Sequence, residues 1–381
     1  MNRRTFGAAL ACGAAAQNAP VPEPIRNLKP MTEGVRPITD AERAARVEKA
    51  RKLLRDNRLA AMVVPNGSSM FYFTGQRKPG QAWVLAPKGD PVWSSAEPAE
   101  LAHALRDAGA VTGAIGMEEQ TPFAVVSGLA KEAPAITCAS ATPVTAGCRM
   151  YKSPAEIALL QHANDVTIAA YRAGLATLRE GMAENELSVN IGAAYRALGY
   201  NGYASASFGQ YTAFPHGSIT PQKLKDGDVV MIDDGCAVEG YQSDITRTVV
   251  FGKPSARQRQ IWDLERRAQD AALRAAQVGA PCEAVDAAAR KVITDAGFGP
   301  GYKVPGLPHR TGHGIGLDGH EWTYLVRGNK TPLAPGMCFS DEPMIAIYGE
   351  FGVRLEDCFY MTENGPRTFS KQSPAIEQPF G

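Results

Sequence analysis

No apolar run in this chain approaches the roughly 20 residues that a membrane-spanning helix needs, so a helical membrane protein is excluded. Nor is there a block of one charge. Lys and Arg number 40 against 39 Asp and Glu, a net charge of +1, mixed along the chain without a basic cluster or an acidic tail. That distribution removes the electrostatic signature of a nucleic-acid-binding protein. Cys138, Cys148, Cys236, Cys282, Cys338 and Cys358 show no CxxC spacing, so neither a zinc ribbon nor a redox pair is written here. Buried free thiols are the expectation. No repeat of fixed period and no low-complexity segment occurs. Histidine is scarce, six in 381 residues, and that scarcity makes its placement informative.

The length suggests two domains, or one with a large insertion, and 44% apolar residues suffice for a sizeable core. The N-terminus reads Met1-Asn2-Arg3-Arg4-Thr5-Phe6, then a mild apolar stretch that ends in small residues near Ala14 to Ala16. A charged head followed by this pattern is signal-peptide grammar, and the paired arginines resemble a twin-arginine export signal. A periplasmic or otherwise exported location follows, or a cytoplasmic one if the stretch is only an extension. Cys12, after Leu10-Ala11, is a poor match to a lipoprotein site. Residues 17–38, rich in proline, read as a tether.

Thr39-Asp40-Ala41-Glu42 is a capping box, in which side chains satisfy the exposed backbone donors of a helix start. The helix it opens runs to about Asn57. A buried strand follows at Ala61–Val64, then a turn and the aromatic run Met70–Gly75. Ala82–Leu85 and Pro91–Trp93 form a hairpin across Lys88-Gly89-Asp90, and helical patterns recur at 97–108 and 122–132. This alternation predicts a small α/β domain. Ser153-Pro154-Ala155-Glu156 is a second capping box with proline at the first helical position, and Ser255-Ala256-Arg257-Gln258 opens another helix in the same way. A further helical pattern covers about 282–296, and beyond 298 the chain turns to Gly, Pro and short β-like runs. The expected organisation is a signal and tether over 1–38, an α/β domain over 39–150, and an α+β domain over 151–381.

Three stretches of the second domain carry chemistry. In 228–251, Val229–Ile232 is an apolar strand ending in Asp233-Asp234, and a second strand begins near Ser243-Asp244. Asp233 and Asp244 stand eleven residues apart, so their side chains can face each other on adjacent strands. A carboxylate after four apolar residues is expensive to bury unpaired, and a shared cation removes that penalty. Solvated acids on a polar turn remain the alternative for these residues alone. In 308–321, His309, His313 and His320 sit among glycines, which let the backbone approach a ligand closely. In 337–361, Glu342 and Glu356 each lie inside an apolar, β-like surround. Four carboxylates with one to three imidazoles suit Mn²⁺, Co²⁺ or Zn²⁺. Two such ions can lower the pKa of a shared water and clamp a tetrahedral intermediate, which is the chemistry of hydrolysis.

The strings IDDG and GYQSDITRT, GHGIGLDGHE, EP and VRLED resemble the motifs of the pita-bread metallopeptidases over about 150–370. The N-terminal part is similar to the creatinase-type N-domain of the Xaa-Pro aminopeptidase and Xaa-Pro dipeptidase (prolidase) branch. Methionine aminopeptidases lack that domain. The resemblance implies a dinuclear metal centre, probed first with Mn²⁺, in which Asp233 chelates one ion, Asp244 and Glu356 bridge both, and His313 and Glu342 bind the other. Glu342 would also handle the proton of the bridging water. His216, in Ala213-Phe214-Pro215-His216-Gly217, resembles a histidine near the scissile bond. His309 and His320 match two substrate histidines, with His320 on the carbonyl or oxyanion, and Arg354 matches an arginine at the proline end. A peptide with proline at its second position and a homodimeric assembly are further implications.

Arg310, Gly319 and Met344 depart from the family pattern, and all three bear on the substrate pocket. Asp234 and Asp341 each adjoin a ligand; strand alternation is expected to turn Asp234 away. A same-fold metal-dependent enzyme acting on a non-peptide or non-proline substrate is the alternative, and a non-catalytic binding protein a more distant one. A panel of peptides and other amides separates the first, and metal content after reconstitution the second.

Overall fold

A computed structural model describes residues 20–381, so the export-like segment Met1–Ala16, with Cys12, lies outside the described residues. The chain forms two compact units. One comprises 36–156 with the distant segment 316–322. The other comprises the chain before residue 36, then 157–315 and 323–381. No helix among the described residues is long and apolar enough to cross a membrane.

The described part of the expected tether is held down. Residues Glu23–Arg26 form one helical turn, α1, that buries Ile25. The Met31 N–H donates to the Leu198 carbonyl at 2.9 Å. The buried apolar side chain of Ile25 supplies the reason.

The first unit is built on a five-stranded sheet. Its helix α2 (Asp40–Asp56) starts at the predicted capping box, with Glu42 N–H donating to Thr39 Oγ1 at 3.2 Å. Strand β1 (Leu59–Pro65) is central and buried on both faces. The aromatic run forms a short helix, α3 (Ser68–Thr74), capped by Gly75 at φ 71°. Strands β2 (Gln81–Leu85) and β3 (Val92–Ser95) make the expected hairpin, with Trp83 opposite Trp93. Then come α4 (Pro98–Asp107), β4 (Gly113–Met117), α5 (Phe123–Glu132), β5 (Ile136–Ser140) and α6 (Thr142–Arg149). The order is β3-β2-β1-β4-β5, with β1, β4 and β5 parallel. Val63, Val84, Leu101, Leu105, Ile115 and Leu129 form its core.

Segment 316–322 belongs to this unit through charge. Arg149 pairs with Asp318 and with Glu321, both at 2.7 Å, and Lys152 with Glu321 at 3.4 Å. Ser68 Oγ donates to Asp318 at 2.5 Å. Burial alone would raise the Glu321 pKa, but Lys152 and Arg149 overcome it and bring it down to about 2.

The second unit opens with α7 (Pro154–Leu175) and α8 (Glu184–Ala197). These helices pack closely because Gly174 has no side chain; a Cβ there would collide with Ile191. Strands β6 (Ser205–Phe208), β7 (Val229–Asp233), β8 (Ala237–Val238), β9 (Tyr241–Gln242) and β10 (Arg247–Val250) follow. Helices α9 (Ala256–Ala275) and α10 (Cys282–Asp295) pack on each other. The remainder is β: β11 (Gly312–Gly314), β12 (Glu321–Leu325), β13 (Cys338–Asp341), β14 (Met344–Ile347), β15 (Phe351–Arg354), β16 (Asp357–Thr362) and β17 (Gly365–Thr368). One sheet has the order β10-β7-β6 and another β12-β11-β13-β16-β17, while β14 and β15 pair as a hairpin. All six described cysteines are free, five of them buried, as expected.

A buried ion pair ties these layers. Arg247 and Asp357 are 2.7 Å apart and almost wholly excluded from solvent. The guanidinium also donates to the carbonyls of Glu356 (2.8 Å), Pro379 (2.8 Å) and Lys371 (3.1 Å). Asp357 accepts from Ser370 Oγ at 2.5 Å and Gln269 Nε2 at 3.1 Å. Removing one partner of such a pair leaves a buried charge, at a cost of about 3–5 kcal/mol.

Two predictions follow from these ion pairs. Asp357→Ala is expected to lower the unfolding free energy by about 3–5 kcal/mol, and Arg247→Met/Asp357→Leu to recover most of it, read from denaturant midpoints. Equal losses in the single and double variants would show that the pair itself is not what matters. Glu321→Gln concerns pH. A depressed carboxylate contributes stability that is complete above its unfolded pKa and is lost as pH falls through the folded one. The stability gap between native protein and Glu321→Gln should therefore stay constant from pH 7 down to about 4.5 and close as pH approaches about 2. A gap independent of pH would remove the Arg149–Glu321–Lys152 account.

Candidate metal centre

The apolar residues of β7 lie in the middle of a three-stranded antiparallel sheet, and its last residue, Asp233, emerges at the end. Arg247 stands opposite Ile232, so one further step of the register sets Thr246 against Asp233. Asp244 precedes that point in irregular chain. The expected pairing of two aspartates on adjacent strands is thus corrected: a bend brings them together. Backbone bonds shape it, from Ile245 N–H to the Asp234 carbonyl (3.1 Å) and from Ser243 N–H to the Cys236 carbonyl (3.0 Å). Gly235 is required there, since a Cβ would strike the Ser243 carbonyl.

His313 lies on β11, and Glu342 directly follows β13. The His313 N–H donates to Ser340 Oγ at 3.1 Å, and Ser340 Oγ donates to Glu342 Oε1 at 3.1 Å. Glu342 N–H reaches the Thr311 carbonyl at 2.8 Å, and Glu356 N–H the Thr246 carbonyl at 3.2 Å. Backbone and hydroxyl bonds therefore fix Glu342 and Glu356 before any ion is considered.

All five residues expected as ligands converge. Asp233, Asp244 and Glu356 form one group whose ligand atoms lie within 4.8 Å of one another, and His313, Glu342 and Glu356 form a second. Glu356 is common to both. His313 Nδ1 is 3.1 Å from the Gly314 carbonyl, so it carries the proton in the neutral ring and Nε2 is left as the acceptor. That Nε2 is 3.1 Å from Glu342 and 3.7 Å from Asp244. Acceptors facing acceptors repel unless a proton or a cation lies between them.

The acid–base balance carries the same strain. Burial raises the Asp244 and Glu356 pKa values well above the carboxylate range, and neighbouring carboxylates push them further. Burial would also raise Glu342, but His313, His309 and Arg354 hold it well below that range. Burial would lower the His313 pKa; Glu342 and Asp244 raise it. The imidazole sides with the nearer carboxylate, and the other two are left to repel. Glu356 Oε1 is buried without a hydrogen-bond partner. This donor set, four carboxylates and one imidazole with an orphaned buried oxygen, fits two divalent cations.

Arg354 approaches the same cluster. It forms an ion pair with Asp233 and donates to Thr246 Oγ1 at 2.9 Å and to the Pro215 carbonyl at 3.3 Å. His216 follows Pro215 and is exposed. His309 is near Glu342, Arg354 and His216; burial lowers its pKa. Its Nδ1 is 2.7 Å from the Arg310 carbonyl, and its buried Nε2 has no hydrogen-bond partner. His320 is exposed and lies in segment 316–322 of the other unit.

Neither neighbouring aspartate joins the metal groups. Asp234 accepts from Ser205 N–H at 3.2 Å. It turns away because its backbone leaves the strand at φ 103°, rather than through strand alternation. Burial and Asp233 raise its pKa to about 6. Asp341 ends β13, fully buried beside Asp357 and Glu265. Of the departures from the family pattern, Arg310 stacks on Tyr324 at 4.4 Å, Gly319 faces open space, and Met344 is buried.

Thr246 was missed by sequence reasoning. Its hydroxyl lies 2.6 Å from Asp233 Oδ1 and 2.8 Å from Glu356 Oε2. The period of two from Asp244 through Thr246 to Thr248 was the available signal. Ser340 gave none, because its link to Glu342 depends on the packing of distant strands.

Residues 158–363 match Metallopeptidase family M24, and residues 46–96 match the Creatinase/Prolidase N-terminal domain. The chain is 40% identical over 228 residues to an Xaa-Pro dipeptidase of Lactobacillus helveticus, covering 58% of this chain and 60% of that protein. It therefore spans less than two thirds of that relative's length. A probable dipeptidase PepE of Mycobacterium bovis is 33% identical, over 84% of this chain and 92% of its own. The crystal structure of dipeptidase PepE from Mycobacterium ulcerans superposes with a TM-score of 0.79 at 32% identity, covering 88% and 97% of the two chains. With a creatinase-type N-terminal domain, a pita-bread second unit and an acid-rich centre that fits divalent metal ions, the chain belongs to metallopeptidase family M24.

Proposed function

We propose that this chain is a two-metal exopeptidase that releases the N-terminal residue from Xaa-Pro peptides, as an Xaa-Pro dipeptidase or aminopeptidase. One observation carries the reading: two donor groups share a single carboxylate, Glu356. Asp233 and Asp244 complete one group, and His313 and Glu342 the other. The substrate class is supported by the Xaa-Pro dipeptidase name of the Lactobacillus helveticus relative. When bound, two divalent ions supply an acidified water and a polarised carbonyl. The acid-rich set with one imidazole favours Mn²⁺, with Co²⁺ and Zn²⁺ as alternatives.

The chain's own residues do the rest. Glu342, held ionised beside His313, takes the proton of the attacking water. Arg354 orients Asp233 and, through the Pro215 carbonyl, the turn that carries His216. His309 offers Nε2 to the substrate, with its ring orientation set by the Arg310 carbonyl. His320 is the proposed partner of the substrate carbonyl and its developing negative charge. A homodimer is part of the same family-based reading, and export rests on the arginine pair near the N-terminus.

The test compares an Xaa-Pro dipeptide with an Xaa-Pro-Yaa tripeptide in Mn²⁺, Co²⁺ and Zn²⁺. Cleavage should vanish on chelation and return with added metal. Glu342→Ala should lose at least about 10²-fold in kcat; full metal-dependent activity in that variant would sink the mechanism. Failure to cut either peptide, with cleavage of a non-peptide amide, would shift the substrate class.

Thr246→Val provides a check that needs no turnover. Removing a hydroxyl that supports two ligating carboxylates should weaken metal binding by about 10- to 100-fold, measured by titration of the metal-free protein. Unchanged affinity would mean that Thr246 does not set the carboxylates.

A further inference from the structure

Helix α10 lies outside the acid cluster, yet one ion pair on it grips the loop leading into the site. Asp286 is buried, and its Oδ2 accepts from Arg290 Nε at 2.8 Å, one helical turn away. Arg290 directs its other nitrogens at the backbone. It donates to the carbonyls of Gly301 at 2.7 Å, Leu307 at 3.1 Å and His309. The guanidinium also stacks on Tyr302, 4.3 Å from the ring centre. Asp286 Oδ1 meanwhile accepts from Thr311 N–H at 3.0 Å and Thr311 Oγ1 at 2.8 Å.

Residues 299–311 have little regular structure of their own. Two internal bonds shape the segment, Gly299 N–H to the Pro305 carbonyl (2.7 Å) and Lys303 N–H to Pro300 (3.2 Å), and Gly306 N–H reaches outside it to the Ala346 carbonyl (3.1 Å). A planar guanidinium can hold several carbonyls at fixed mutual angles, which a lysine ammonium on a flexible stem cannot. The His309 carbonyl is one of those held, and among the described residues the His309 ring is hydrogen-bonded only to the adjacent Arg310 carbonyl.

We infer that Arg290, anchored by Asp286, is a positioning residue for His309. It fixes the loop backbone so that Nε2 of His309 is presented to the substrate. The inference rests on the peptidase reading above, in which His309 meets the substrate. A positional error of about 1 Å in such a group can lower turnover by as much as 100-fold.

The experiment is a double-mutant cycle on the metal-loaded full chain, with hydrogen exchange on the metal-free protein alongside. Arg290→Lys keeps the charge and the Asp286 pairing but loses the fork. It should lower kcat/KM for an Xaa-Pro dipeptide by about 10- to 100-fold. In a His309→Ala background the same change should cost less than about threefold, because coupled residues are non-additive. Exchange at Gly299, Lys303 and Gly306 should accelerate in Arg290→Lys, while the Thr311 amide, held by Asp286, stays protected. Equal losses in both backgrounds would overturn the positioning role and reduce Arg290 to general scaffolding. Unchanged exchange would overturn the tether itself. If Arg290→Lys folds poorly, Arg290→Gln, which retains one planar donor group, takes its place in the same cycle. A native chain that leaves Xaa-Pro peptides uncut would count against the peptidase reading, whereas a cleaving chain whose His309→Ala variant keeps its full kcat/KM would overturn the positioning role.

Discussion

Repulsion among four clustered carboxylates, one fully and three largely buried, is the constraint on which the site of the second unit depends. Asp233, Asp244, Glu342 and Glu356 arrive from separate segments, and all but Asp244 are held by a backbone or hydroxyl bond from outside the four. His313 and Arg354 bring positive charge or proton capacity to the cluster, but they serve Glu342 and Asp233 most directly. Asp244 and Glu356 therefore remain in conflict, as their raised pKa values record. A protein that only needed to be stable would place apolar side chains here. Keeping the acids commits the fold to divalent cations.

A graded support surrounds that centre. Thr246 has one proton to share between Asp233 and Glu356 while it accepts from Arg354, so three side chains are aligned by one hydroxyl. Behind Glu356, Arg247 holds the residue's carbonyl and pairs with Asp357. On the far side, Asp286 and Arg290 hold the loop that ends at Thr311, whose carbonyl receives the Glu342 amide. Glu342 and Glu356 thus each sit at the end of a chain of bonds that runs back to a helix or a strand.

The sequence made the local features plain. Capping boxes at Thr39, Ser153 and Ser255 mark helix starts because the bonds that form them span three residues. The four clustered acids and His313 were legible because they interrupt apolar strands or sit among glycines, and all five do converge. The geometry of convergence was less legible. Asp244 lies in a bend rather than on a ladder, and Asp234 is removed by a positive φ, which depends on how the 234–243 excursion closes on itself. Thr246, Ser340 and Arg290 escaped notice for a related reason. A hydroxyl or guanidinium declares its partner only when residues as far apart as 110 positions are brought together.

Segment 316–322 has one more implication. The N-terminal unit is discontinuous: Arg149 and Lys152 find their carboxylates more than 160 residues downstream. During synthesis, then, the sheet and helices of 36–156 leave the ribosome before Asp318 and Glu321, the carboxylates that pair with Arg149 and Lys152, have been made. Their electrostatic closure must wait until most of the second unit has been made. A gene cut after residue 156 would omit those carboxylates permanently, so a cut at the apparent domain boundary separates Arg149 and Lys152 from their ion-pair partners.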